Sequence, residues 1–176
     1  MKAICPGSFD PVTLGHVDIF ERAAEQYESV LVAIGASATK KGMFAPDERV
    51  ELVREAVRHL ANVQVTTFDG LLVDLCTDHG IGVIVKGLRS GADFEYELQM
   101  AQMNSRLAGV ETSFLATAPE WGFVSSTLIR QISSMGGDVS EFLPRGVQIA
   151  LEQRFGTGQS APGQPTTHQS APQGEK

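Results

Sequence analysis

At 176 residues the chain has the length of one globular domain, and its 42% hydrophobic content is enough to fill a core. A formal charge of -7, from 21 acidic against 14 basic residues, weighs against a surface built to neutralise nucleic-acid phosphates, while a local cluster of Lys and Arg can still hold a small anion. The two cysteines, Cys5 and Cys76, have neither CxxC nor Cys/His spacing, so they read as reduced core residues of a cytosolic protein and no metal-ligand set is expected.

The first residues contain no apolar run long enough for a signal peptide, and no later segment approaches the roughly 20 apolar residues of a membrane span. A cytoplasmic protein with neither membrane nor nucleic-acid partner is expected. In chain order, compact apolar runs predict strands over Lys2–Cys5, Ser29–Gly35, Val63–Phe68, Gly82–Lys86 and Thr112–Ala116. Between and after them, helical periodicity covers Gly15–Gln26, Pro46–His59, Leu71–His79, Asp93–Leu107, Ser126–Ser134 and Arg145–Arg154. Pro46, Asp47 and Glu48 suit a first helical turn, and Ser125 or Ser126 suits the cap of a later one. This alternation predicts an α/β fold, a Rossmann-like doubly wound five-stranded parallel sheet, with its ligands beyond the carboxyl ends of the strands. From Gly156 to Lys176 the chain turns to Gly, Ser, Thr, Gln and Pro, which predicts a catalytic domain over 1–155 and a disordered tail over 156–176.

Candidate chemistry falls in the loops after the strands. Pro6-Gly7-Ser8-Phe9-Asp10-Pro11 followed by Thr13-Leu14-Gly15-His16 brings turn residues to a helix start, where free N–H groups and a positive dipole end suit a phosphate. Gly15 permits close backbone approach, His16 adds a side-chain donor and Ser8 a hydroxyl. Taken alone, a Gly-His pair at such a turn is more often a surface or capping feature. The loop is not a Walker A sequence, since no Gly-Lys-Ser/Thr follows the required spacer. After the fourth predicted strand, Lys86 and Arg89 bracket Gly87 and Leu88, ahead of the acidic segment Asp93-Phe94-Glu95-Tyr96-Glu97. An ammonium and a guanidinium so placed suit separate phosphates, or else pair with the acidic helix ahead. After the fifth, Trp121-Gly122-Phe123-Val124 leads to Ser125, Ser126 and Thr127, which offer hydroxyl and N–H donors to an anion or merely cap the helix. Lys40 and Lys41 follow the second strand. Four strand-end loops with phosphate-binding chemistry favour the functional reading of all of them.

These segments resemble those of the phosphopantetheine adenylyltransferase family. PGSFDPVTLGH carries the (T/H)xGH signature of the nucleotidyltransferase superfamily, while VKGLRSGADFEYELQMAQMN and WGFVSSTLIR are more specific. The resemblance runs from about Ala3 to Phe155. It implies a nucleotidyltransferase fold and reversible transfer of the adenylyl group of ATP to 4'-phosphopantetheine, giving dephospho-coenzyme A and pyrophosphate, the penultimate step of coenzyme A biosynthesis. It also implies Mg2+ as cofactor, coenzyme A as feedback inhibitor and a homohexamer. Carried over by position, Ser8, Phe9, His16, Gly87, Leu88, Arg89, Glu97 and the run Trp121, Gly122, Phe123, Val124, Ser125, Ser126 and Thr127 would contact ATP. Ser8, Lys40, Leu72 and Lys86 would contact the phosphopantetheine arm. The catalytic set would be His16, Ser8, Lys40 and Arg89. Many relatives have Thr in place of Ser8 and Arg in place of Lys86; the second change keeps the charge and loses the planar fork. Competing readings are another nucleotidyltransferase acting on nicotinate mononucleotide or glycerol phosphate, and a non-catalytic nucleotide- or coenzyme A-binding module.

Overall fold

The structure, a computed structural model, describes residues 1–36 and 42–156. Lys40, Lys41 and the expected tail beyond Gly156 lie outside the described residues.

Five strands form one parallel sheet: β1 (Lys2–Gly7), β2 (Ser29–Gly35), β3 (Val63–Phe68), β4 (Val83–Leu88) and β5 (Glu111–Ala116), in the order β3-β2-β1-β4-β5. Among the described residues six α-helices accompany them: α1 (Leu14–Gln26), α2 (Pro46–Ala56), α3 (Leu72–His79), α4 (Gly91–Ala108), α5 (Ser126–Ser134) and α6 (Arg145–Phe155). The strands divide their side chains between two cores with the period of two that a pleat imposes. Ala3, Cys5, Val30, Val32, Ile34, Val83 and Val85 meet α1, α2, α5 and α6 on one face. Ile4, Ala33 and Ile84 meet Cys76 of α3 on the other. Both faces are covered, as parallel sheets require, and the two free cysteines sit in separate cores.

The predicted strands and helices all form, with shifts at their ends that have local causes. Helix α2 stops at Ala56 rather than His59, because Val57 leaves the helical region and Leu60 N–H turns back to the Val57 carbonyl at 2.8 Å. Helix α4 begins two residues early, since Ser90 caps it by accepting from Asp93 N–H at 3.2 Å. Strand β1 continues through Pro6 and Gly7, which pair with Ala33 and Ile34 of β2.

The extension of β1 opens the sheet. Along β2, β1 stays in register for six residues, but along β4 it pairs only at Ala3↔Val83 and Ile4↔Ile84. Beyond these, Cys5, Pro6 and Gly7 part from Val85, Lys86 and Gly87, and all six line one cavity. Pro6 has no N–H to leave unpaired there. The parting lies where the strand order reverses direction, the switch point at which open α/β sheets bind ligands.

Candidate active site

A cavity of about 560 Å3 fills this crevice, a size suited to a small-molecule ligand. It is built from four directions. The end of β1 brings Ser8 and Phe9, the start of α1 brings Thr13, Gly15 and His16, the end of β4 brings Lys86, Gly87 and Arg89, and the entry to α5 brings Trp121 and Val124 through Thr127. The N-termini of α1 and α5 both point their positive ends into it. Ser125 is the α5 cap, accepting from Leu128 N–H at 3.1 Å, which leaves Ser126 and Thr127 in the first turn. Ser126 donates to the Pro11 carbonyl at 2.8 Å and so ties the two helix starts together.

His16 is held by its own helix. Thr13 N–H donates to His16 Nδ1 at 3.0 Å, so the imidazole reaches back as Glu or Gln does in a capping box. A backbone N–H can only donate; Nδ1 is therefore an acceptor and the neutral ring carries its hydrogen on Nε2. Burial first, and the positive charge of Arg89 second, lower His16 from its usual 6.5 to about 4. The ring is thus held neutral across the physiological range, with its N–H at Nε2. Phe9 fixes the ring's other side. Its φ of 43° folds the phenyl back under Gly7 and sets it edge-on to His16, 5.2 Å between centroids. Gly15 packs against Trp121, where an added Cβ would lie 3.0 Å from the tryptophan's own. The side chain of Phe9 is a buried wall, so the backbone of this loop is what it offers a ligand.

The cations of the site are each placed by a carboxylate. Asp93 accepts from Arg89 Nε at 3.1 Å and Nη2 at 3.2 Å, and the Val124 carbonyl takes Nη1 at 3.3 Å. Lys86 Nζ lies 3.0 Å from Glu97 Oε1. Glu97, read from the sequence as a nucleotide contact, is in this structure the partner of a cation. Arg130 donates to the Asp10 carbonyl and to Thr127 Oγ1, the latter at 3.2 Å, and has the Asp10 carboxylate 3.9 Å away.

A second cavity, of about 640 Å3, adjoins the first and shares with it Ser8, Lys86, Tyr96, Glu97 and Arg130. Its remaining wall includes Phe68, Leu72, Met100 and Asn104, so it is more apolar. Ser8, His16, Lys86, Arg89, Glu97, Trp121 and Ser125 through Thr127 are therefore brought together, and Leu72 joins them through the second cavity. Leu88, Gly122 and Phe123 line neither cavity; Phe123 is exposed and stacks edge-on against Phe142 at 5.6 Å. Lys40 lies outside the described residues.

Sequence reading missed Asp10, Arg49 and Arg130. Asp10 is only 5% exposed and accepts from Met43 N–H at 2.8 Å and Phe44 N–H at 2.9 Å, while Arg49, itself buried, donates to the Phe44 carbonyl at 2.8 Å and the Ser8 carbonyl at 3.2 Å. Arg130 was visible at the end of WGFVSSTLIR, four residues past a serine that faces the cavity. That spacing brings it one helical turn on, to the same face.

The sequence profile of the cytidylyltransferase-like family matches residues 4–132, from β1 into α5. The chain belongs to this family. Its nucleotidyltransferase fold is seen again in a solved structure assigned as a nicotinate-nucleotide adenylyltransferase from Vibrio parahaemolyticus, with TM-score 0.61 and 20% identity over 85% of this chain and 97% of that one. A lipopolysaccharide core biosynthesis protein from Thermoplasma volcanium aligns over 67% of this chain and 96% of its own, at TM-score 0.49 and 17% identity. The family match spans β1 to β5 and the start of α5, the elements that enclose the first cavity. Among the described residues no helix is long and apolar enough to cross a membrane.

The state of His16 is open to a direct check. Because its value in the fold lies below that of the unfolded ring, the native protein takes up no proton there between about pH 6.5 and 4, the unfolded chain does, and this residue's contribution to stability falls as the pH is lowered through that window. Nitrogen-detected NMR should show His16 as the Nε2–H tautomer throughout pH 5.5 to 8. A titration centred near the unperturbed value would contradict this geometry.

Proposed function

We propose that this nucleotidyltransferase is a pantetheine-phosphate adenylyltransferase, joining the adenylyl group of ATP to 4'-phosphopantetheine. The observation that carries the reading is the pair of unlike cavities meeting at Ser8, Lys86 and Arg130. The first has helix N-termini and guanidinium groups for a triphosphate. The second has an apolar wall of Phe68, Leu72 and Met100 for an extended arm, and in Asn104 a buried amide to match the amides of that arm. Coenzyme A, which carries the same arm, would compete there. The sequence resemblance supports the same acceptor.

In this mechanism the acceptor's 4'-phosphate sits at the shared rim, in line with the α-phosphorus of ATP. An oxygen of that phosphate forms the new bond to phosphorus as the bond to pyrophosphate breaks, and no enzyme nucleophile is needed. Cys5, at the cavity wall, is unsuited to that role, since burial raises its thiol to about 12. Ser8 has no base in His16, whose Nδ1 is occupied and whose Nε2 bears the hydrogen. The chain's work is placement and charge stabilisation. His16 Nε2–H donates to a non-bridging oxygen of the α-phosphate, where charge builds. Arg89, Arg130 and the Ser125–Thr127 turn hold the β- and γ-phosphates, and Lys40 orients the acceptor phosphate.

The resemblance implies Mg2+. Among the described residues no three His, Cys, Asp or Glu side chains gather into a cage. Arg89 and Ser125 through Thr127 would hold the phosphates with which such an ion would enter the site. When bound it supplies neutralisation of the leaving pyrophosphate.

The proposal extends to self-association as a homohexamer, for which α4 supplies a surface. Asn104 is the buried residue of this helix, while Tyr96, Met100, Met103 and Leu107, spaced by three and four, are exposed along one face, the first two at the edge of the cavities they also line. Such a stripe would suit an interface between copies of the chain. Glu95 lies in its first half and Arg106 near its end, so two antiparallel copies would pair these unlike charges. Sedimentation should give a multiple of the 18.9 kDa chain, reduced by Leu107→Glu; a wild-type monomer would end this part of the proposal.

Pyrophosphate release from ATP, assayed in parallel with 4'-phosphopantetheine, nicotinate mononucleotide and glycerol phosphate, tests the function. Only the first should support turnover, and His16→Ala should lower kcat by about 10²–10³ while remaining folded. Preference for another acceptor would overturn the substrate assignment, and a fully active His16→Ala would overturn the role of the donor.

A further inference from the structure

We propose that Glu97 is an anion held in reserve, which occupies Lys86 in the free protein and is displaced by the acceptor's phosphate, so that it sets the affinity of that site. The inference rests on reading Lys86 as the acceptor-phosphate cation and adds to it a residue that works against binding.

The three carboxylates that face the cations of the rim are not equivalent. Asp93 receives three bonds from Arg89, including its backbone N–H at 3.2 Å, all within one turn of chain. Asp10 is buried and fastened by two backbone N–H groups, and Arg130 beside it is fixed by a carbonyl and a hydroxyl. Removing either carboxylate from its cation would break local structure; these two are supports. Glu97 differs. It reaches Lys86 from another element, α4 against β4, through one ion-pair contact of 3.0 Å, and among the described residues neither side chain makes any other polar contact.

Both groups are also accessible, at 25% exposure for the Lys86 side chain and 20% for Glu97, and both line the two cavities at once. A partly covered pair joined by a single contact, with water still reaching both groups, is weaker than a fully buried one, because solvent screens it and ordering two long chains offsets part of the attraction. A phosphate monoester brings two negative charges to an ammonium that now faces one, so the exchange favours the ligand. A singly charged ligand exchanges like for like and gains little. Lys86 suits this part because a point charge on a flexible stem releases one partner for another without the two-point geometry that a guanidinium would impose.

Glu97→Gln keeps the shape and removes the competing charge. Inorganic phosphate titrated at pH 8 and followed by the backbone resonances of Val85 to Gly87 should bind the variant about fivefold more tightly than wild type, the scale of losing one such pair. Adding Lys86→Met to Glu97→Gln should cancel the gain. In turnover, the variant's KM for 4'-phosphopantetheine should fall while its KM for ATP does not. Unchanged or weaker phosphate binding by Glu97→Gln, or a gain that survives the loss of Lys86, would overturn the proposal. If the phosphate result holds but 4'-phosphopantetheine binds no better than inorganic phosphate in either protein, the acceptor assignment fails and the role of Glu97 stands.

Discussion

The early parting of β1 from β4 is the constraint on which the rest depends. Two paired registers hold the strands together at Ala3 and Ile4, and past them the chains separate to leave a crevice between Cys5–Gly7 and Val85–Gly87. In a parallel sheet the helices that follow each strand begin at the same edge. The free N–H groups of α1 and the hydroxyl-rich start of α5 therefore face the opening without further arrangement. The cations come with the same geometry, Lys86 and Arg89 because β4 ends there, Arg130 because it lies one turn into α5.

The crevice gathers positive charge in a chain whose formal net charge is -7. Paired carboxylates reconcile the two, since Asp93 and Asp10 hold the guanidinium groups in place at the crevice and Glu97 holds the ammonium there. His16 supplies a donor without a charge of its own, because its environment opposes protonation. On the proposed function, a pocket of this kind is prepared for anions before they arrive, and its contribution to a reaction between two of them would be orientation and charge dispersal.

Much of the fold was legible because strands buried on both faces leave short continuous apolar runs. Ser29–Gly35 matches its predicted limits for this reason, while Val63–Phe68, an edge strand whose side chains are only partly covered, was legible from its β-branched residues. Motif residues at strand ends were legible as well, since Gly15, His16 and Ser125 carry turn and cap chemistry in their immediate neighbours. What could not be read was chemistry that depends on distant partners. Asp10 meets the backbone of Met43 and Phe44, 33 and 34 positions away, and Arg130 reaches the Asp10 carbonyl across 120. Glu97 lies 11 residues from Lys86, and only the packing of α4 beside β4 makes them partners. The tautomer of His16 likewise follows from a hydrogen bond to Thr13, not from composition.

The central claim is that two anionic reactants meet across one rim and exchange the adenylyl group in a single displacement. The most direct measurement is the stereochemical course at the α-phosphorus, followed with ATP made chiral by sulfur substitution at that position and 4'-phosphopantetheine as acceptor. Inversion of configuration is the expected result, as one in-line attack requires. Retention would demand two displacements, hence a covalent adenylyl-enzyme, and would contradict the direct transfer argued from the joined cavities.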